Sequence, residues 1–114
     1  MGNTEQLQGF ITELRRGSLT LAVLACLSKP HYGYSLLQSM QERGIDIEAN
    51  TLYPLLRRLE SQGLLASDWD TSESRPRKYY TINDDGKKLY QDLVAEWQKM
   101  QNSIEGMIGE QSNE

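Results

Sequence analysis

Eight polar or cationic side chains between residues 50 and 78 have the types and spacing to bind a polyanion. Five belong to one short segment and three to the loop that follows it. They are Asn50, Thr51, Tyr53, Arg57 and Arg58 in the segment, and Arg75, Arg77 and Lys78 in the loop. Arginine and lysine bind phosphate oxygens, whereas asparagine, threonine and tyrosine can reach base edges. These types favour non-covalent recognition of a nucleic acid.

A leucine stripe positions the first five of these side chains. The stripe consists of Leu52, Leu55, Leu56 and Leu59. Its i, i+3, i+4, i+7 spacing predicts a helix with one buried face, ended by Gly63, and at 100° per residue the polar side chains fall on or beside the opposite face. Pro54 fits a helix only near its first turn, so we expect this helix to begin at Asn50 or Thr51, either of which could cap it.

Two extended segments and an upstream helix complete the pattern. Residues 64–69 and 78–82 have strand character, and the turn-rich sequence DTSESRPR between them predicts a β-hairpin. Upstream, HYGYSLLQSMQERG predicts another helix that buries Leu36, Leu37 and Met40 and ends at Gly44. Two helices with a short connection and then a hairpin predict a winged helix-turn-helix, mainly α, whose second helix can enter a DNA major groove.

Composition excludes several classes of function. The 114 residues suit one small unit, and Cys26 and His31 are its only cysteine and histidine, so we predict no metal site and no cofactor. No phosphate-binding glycine loop or activated nucleophile is visible, which argues against an enzyme. No apolar run approaches the ~20 residues of a membrane span, and a signal-peptide core is missing, so we expect a cytoplasmic protein without membrane contact.

The net charge of −4 is unevenly distributed. From Asp84 onward there are seven acidic residues and three lysines, whereas residues 1–83 hold nine of each sign. The acidity is therefore concentrated in the C-terminal part, and the five cations of the helix and the loop leave a local positive patch.

A heptad-like apolar seam predicts a long C-terminal helix, capped by Asn83. Its members are Tyr90, Leu93, Trp97, Met100, Ile104 and Met107. A helix over residues 84–108 would be roughly 37 Å long and would need a partner for this seam. We expect a second copy of the chain, joined by the N-terminal helix through Leu7, Phe10, Ile11 and Leu14. The predicted units are residues 1–83 for DNA binding and residues 84–114 for dimerisation and tail.

Four motifs resemble those of the PadR-like transcriptional regulators, the family named for the regulator of phenolic acid decarboxylase. They are GSLTLAVLACL, HYGYSLL, TLYPLLRRLESQGLL and RPRKYYTINDDGKKL, which together cover roughly residues 14–89. The length resembles the short branch with a single C-terminal helix, and Ile82-Asn83 departs from the usual threonine. The resemblance implies a dimeric repressor that binds an inverted-repeat operator, with Tyr32 as a candidate DNA-backbone contact.

Trp97 has two interpretations. It can pack as a large apolar side chain in the dimer seam. Alternatively, because some short members of the resembled family bind flat aromatic compounds between their dimer helices, Trp97 can form an effector site with Met100, Leu93 and Leu14. In that hypothesis the effector shifts the C-terminal helices and releases DNA.

Another class of function stays open at the level of sequence. Winged helices also serve as protein-interaction modules, so an acidic chain with a long apolar helix could be an adaptor that does not bind DNA. Binding to a DNA duplex discriminates between the two classes.

Overall fold

Residues 2–112 are described by the structure, a computed structural model, and they form five helices and one three-stranded sheet. In chain order these are α1 (Gly2–Arg16), α2 (Leu19–Cys26), β1 (His31–Tyr32), α3 (Gly33–Glu42), α4 (Ala49–Ser61), β2 (Leu65–Asp70), β3 (Arg77–Ile82) and α5 (Asp84–Ser112). The mainly helical architecture with a small sheet confirms the predicted fold class. Of the predicted tail, residues 113 and 114 lie outside the described residues.

The core is built around the leucine stripe of α4. Each of the four leucines is buried, with at most 8% of its surface exposed. The side chains that surround them include Val23, Leu24, Leu27, Leu36, Met40, Ile47, Leu65, Tyr80 and Ile82. Burying a leucine side chain stabilises the fold by about 1.5–3 kcal/mol, so the stripe fixes which face of α4 turns outward.

The start of α4 differs from the prediction. The helix begins at Ala49, and Glu48 is its N-cap residue without a side-chain cap bond, so neither Asn50 nor Thr51 caps it. The Thr51 and Leu52 N–H groups both donate to the Glu48 carbonyl at 3.0 Å, so the first helical turn closes on Glu48, directly after the buried Ile47. Pro54 therefore lies in the second turn, and the Asn50 carbonyl lacks its usual helical donor.

The predicted hairpin is present, but the sheet has a third strand. Each strand of the hairpin is displaced by one residue at one or both ends, and β1 adds to the edge of β3 in the antiparallel order β1-β3-β2. His31 and Tyr32, which we assigned to the start of a helix, pair with Tyr80 and Tyr79. This register buries Tyr80 in the core and leaves Tyr79 half-buried on the opposite face.

Asn83 joins α5 to the end of α4. Its Oδ1 accepts a hydrogen bond from the Gly86 N–H at 2.8 Å, which is the predicted cap, and its Nδ2 donates to the Gly63 carbonyl at 2.8 Å. At 1.5 Å per residue the 29-residue helix is about 43 Å long. Only its first third packs on the core, through Leu89, Tyr90 and Leu93, and the remainder projects.

Candidate nucleic-acid interface and apolar groove

The exposed face of α4 carries most of the side chains that the sequence placed there. Asn50, Thr51, Arg57 and Arg58 are exposed and point away from the leucine stripe. A polar, doubly cationic helix face of this kind has the size and chemistry to lie in a DNA major groove.

Tyr53 departs from this pattern because it is half-buried and packs against the start of α3. Its ring lies so close to Gly33 that a Cβ there would be 2.4 Å from the Tyr53 Cε1. Gly33 therefore makes room for the aromatic ring between the two helices. Tyr53 stabilises their packing, and a base contact by its hydroxyl stays a prediction.

Lys78 ties the hairpin to α4. Its Nζ donates to the Glu60 Oε1 at 3.0 Å, while the Ser67 hydroxyl donates to the other oxygen of the same carboxylate. These two bonds, Ser67 first, lower the pKa of Glu60, and the bond to Glu60 raises the pKa of Lys78. The Lys78 Nζ also lies 5.2 Å from the centre of the Tyr80 ring. Much of its charge is thus satisfied within the chain.

Arg77 stacks on an aromatic ring from the edge strand. Its guanidinium carbon lies 4.2 Å from the centre of the Tyr32 ring, and its Nη2 lies 3.4 Å from the Glu73 Oε1. The Tyr32 hydroxyl donates to the Asp70 carboxylate, which raises the pKa of Tyr32. The Tyr32 ring also meets Tyr79 edge to face, with centroids 6.3 Å apart. Tyr32 therefore links β1 to both strands of the hairpin.

The cations that remain available for an anion lie on α4, in the hairpin loop and at the end of α1. Within the described residues Arg57, Arg58 and Arg75 are exposed and form no ion pair. Arg16, at the end of α1, lines with Thr51 and Arg58 an open groove of about 330 Å³. We did not predict Arg16 from the sequence, because it precedes Thr51 by 35 positions and no local pattern links the two.

Three of the four predicted effector-site residues lie together. Leu93, Trp97 and Met100 line an open groove of about 340 Å³ between α5 and the turn from α1 to α2. Leu14 lines a neighbouring groove of about 220 Å³ with Leu19, so its contribution to an effector site stays a prediction. The groove has apolar walls and only a few polar groups, which suits an aromatic compound.

The predicted dimer residues are mostly uncovered in the single chain. Apart from Tyr34 and Trp69, every large apolar side chain that is exposed in the described part of the chain lies on α1 or α5. These include Leu7, Phe10, Leu14, Trp97, Met100, Ile104 and Met107. Ile11 is half-buried, and Tyr90 and Leu93 are partly used by the core of their own chain.

Two helices, a short connection and a hairpin, with arginines on the outer face of the second helix, define a winged helix-turn-helix protein. Among residues 2–112 no helix has the length and apolarity that a bilayer crossing requires. Residues 21–92 match the model of the transcriptional regulator PadR-like family. The chain belongs to this family and is a transcriptional regulator; the family is not one of enzymes, as predicted.

Individual relatives align with most of the chain. A PadR family transcriptional regulator from Eggerthella lenta superposes with a TM-score of 0.91 at 46% identity, covering 95% of this chain and 96% of that one. An uncharacterized protein of Lysinibacillus sphaericus is 32% identical, over 82% of this chain and 91% of its own length. The transcriptional regulator Rv3488 of Mycobacterium tuberculosis is 29% identical, over 89% and 92%.

Proposed function

We propose that the chain is a homodimeric, sequence-specific DNA-binding repressor that recognises an inverted repeat and is released by a flat aromatic effector. The observation that carries DNA binding is the outer face of α4, where Arg57 and Arg58 are exposed without an ion pair beside Asn50 and Thr51. Asn50 and Thr51 read base edges from this face, whereas Arg57, Arg58 and Arg75 neutralise backbone phosphates.

The dimer proposal is supported by the exposed apolar side chains of α1 and α5. The seam of α5 beyond Leu93 and the apolar side of α1 are exposed, and α1 is tied to the rest of the chain by few contacts such as the exposed Arg15–Asp46 ion pair. Covering both surfaces with a second copy removes a large apolar area from water. A two-fold dimer presents two α4 helices to half-sites about 34 Å apart, which is why the operator is an inverted repeat.

The effector step rests on the groove at Trp97. A planar ligand there would lie between α5 and the turn that precedes α2, and α5 is joined through Asn83 to the end of α4. A shift of α5 on ligand binding therefore changes the distance between the two recognition helices of the dimer. Such a ligand relieves repression only to the extent that it binds the dimer with shifted α5 helices more tightly than the DNA-binding arrangement.

DNA binding is tested by fluorescence anisotropy with the DNA upstream of the coding region and a scrambled duplex, across a salt series. We expect selective binding at two chains per site. Arg57→Ala should weaken binding to all sequences and flatten the salt slope by about one unit, because one phosphate contact is lost. Lys99→Ala, on the projecting part of α5, is the matched control and should change neither. Equal, weak binding of both duplexes would contradict sequence-specific recognition of this DNA.

Dimerisation is tested by light scattering on two variants that add the same charge to α5. Ile104→Glu places a carboxylate on the seam and should give monomers. Asn102→Glu places it on the opposite side of the helix and should leave a dimer. A dimer in both variants would rule out this face of α5 as the interface.

The effector groove is tested by tryptophan fluorescence, since the chain has two tryptophans. Trp69→Phe leaves Trp97 as the sole tryptophan, and Trp97→Phe leaves Trp69. We expect acridine, a planar tricyclic compound, to quench the first variant saturably and the second only weakly. Equal quenching of both variants would exclude the Trp97 site.

The adaptor alternative is favoured by one observation, namely that Arg77 and Lys78 are already engaged by carboxylates in a chain of net charge −4. The adaptor alternative would be supported if the protein bound no DNA duplex even at low salt.

A further inference from the structure

We propose that Asp70 is a positioning residue for DNA binding, because it holds the hydroxyl of Tyr32 and thereby keeps the Tyr32 ring beneath Arg77. The inference rests on the proposed function, DNA binding, and adds Arg77 of the hairpin to the cations that contact backbone phosphate. Asp70 therefore favours DNA binding through its contacts, although its negative charge by itself would disfavour it.

The sheet register brings the four participating side chains to one face. Asp70 pairs with Arg77 across β2 and β3, and Tyr32 pairs with Tyr79 across β1 and β3. Side chains alternate along a strand, so Arg77 and Tyr79 share a face, and their cross-strand partners lie on it too. This face is the one opposite the buried Tyr80, away from the core.

Asp70 is itself held in place. Its Oδ1 accepts hydrogen bonds from the backbone N–H of Ser72 at 3.0 Å and from the Ser72 hydroxyl at 2.6 Å, and the carboxylate also accepts the Tyr32 hydroxyl. These bonds, with the Ser72 hydroxyl the largest cause, lower the pKa of Asp70 to about 2, so the carboxylate is charged at neutral pH. A fixed, charged acceptor gives the phenol of Tyr32 one preferred orientation.

The oriented ring matters because Arg77 has a competing partner. Glu73 lies 3.4 Å from the Arg77 Nη2, and both side chains are exposed, so this ion pair is weak. Stacking on the Tyr32 face at 4.2 Å restricts the guanidinium without using its N–H groups, so a phosphate can replace Glu73 as their partner. Less side-chain entropy is then lost when DNA binds.

The direction in which one substitution changes the affinity for DNA separates this role from a purely electrostatic effect. Asp70→Asn removes a negative charge beside the DNA, which by itself would strengthen binding. If Asp70 positions Tyr32 and Arg77, the same change weakens binding. Asp68 is the matched control, because it lies two residues earlier on the same face of β2, is exposed, and accepts a hydrogen bond from the Trp69 backbone N–H and not from Tyr32.

The experiment measures anisotropy with the selected duplex at one salt concentration. We expect Asp70→Asn to weaken binding about threefold to tenfold, the effect of disordering one phosphate-binding cation, and Asp68→Asn to leave affinity unchanged or increased. Tyr32→Phe keeps the ring, loses the hydroxyl, and should weaken binding as well. In an Arg77→Ala background, Asp70→Asn should cause no further loss of DNA affinity. If Asp70 only stabilised the fold, the loss would remain.

The outcomes separate this inference from the proposed function. Wild-type binding together with equal affinity of the Asp70→Asn and Asp68→Asn variants would overturn the positioning role alone. Persistence of the Asp70→Asn penalty in the Arg77→Ala background would overturn it too. Failure of the wild-type protein to bind any duplex would overturn both.

Discussion

Gly86 sits where the first turn of α5 passes the end of α4, and we predict that Gly86→Ala destabilises the protein. A Cβ at this position would lie 2.2 Å from the Leu64 carbonyl oxygen and 2.7 Å from the Ile82 Cγ1. Ordinary contact begins at about 3.4 Å, so the helix start would have to move by about 1.2 Å. The principal obstacle is a backbone atom, which cannot rotate away.

The size of the effect follows from two opposing contributions. Overpacking costs about 1–3 kcal/mol, and the upper value applies here because the obstacle is backbone. Alanine gains up to about 1 kcal/mol over glycine in a helix. The expected net loss in the free energy of unfolding is about 2 kcal/mol. A displaced first turn would also weaken the cap bond from the Gly86 N–H to the Asn83 Oδ1.

Gly106→Ala is the matched control on the same helix. Nothing lies within 4 Å of a Cβ at this position, so only the helical preference acts and the variant should be more stable by about 1 kcal/mol. Urea unfolding at one fixed protein concentration measures both, because dimer stability depends on concentration. If Gly86→Ala stabilised the protein as Gly106→Ala does, the close approach of α5 to Leu64 would be refuted.

Three further predictions concern the same elements. Asn83→Ala should lower the free energy of unfolding by about 1–2 kcal/mol, and Asn83→Asp by less because it keeps the acceptor for the Gly86 N–H; equal losses in urea unfolding would contradict the cap. The pKa of Asp70 is lowered from 3.8 to about 2, so its stabilising bonds are intact above about pH 4 and are lost as the pH falls toward 2. The stability difference between wild type and Asp70→Asn should therefore shrink over that interval, and a constant difference would count against the assignment. Gly33→Ala should destabilise by about 1 kcal/mol, less than Gly86→Ala, because the half-buried Tyr53 ring can rotate away from the new methyl group; thermal unfolding of the two variants gives the ranking.

The helices were predictable because their signals are local. The leucine spacing of α4 gave its buried face, and the stops at Gly44 and Gly63 have φ of 89° and 78°, a region that glycine adopts without strain. The predicted start of α4 was wrong because the capping preference of Asn50 and Thr51 points to positions inside the helix, whereas the first turn closes on the carbonyl of Glu48, which makes no side-chain cap bond.

The edge strand could not be predicted in the same way. Two residues, His31 and Tyr32, are too few to show a period, and their partners in β3 lie almost fifty positions later. The pairing of β3 also sets which of Tyr79 and Tyr80 is buried, because a one-residue change of register would exchange the two side chains. The edge strand and the burial of Tyr80 both depend on backbone pairing between strands that are far apart in the chain.

The candidate DNA-binding face also combines features set by local sequence with features set by long-range contacts. Local patterns were enough to predict the helix-turn-helix order, the outward position of Arg57 and Arg58, the Asn83 cap and the apolar seam of α5, since periodicity and capping act over a few residues. Which cations are available to bind DNA and which are engaged within the chain depends on how the elements pack together. The tertiary structure placed Lys78 against Glu60 and stacked Arg77 on Tyr32. It also brought Arg16 beside Thr51 and separated Leu14 from the groove at Trp97. These contacts join residues far apart in the chain, and their geometry is set by how the elements pack and not by the order of the amino acids within any one of them.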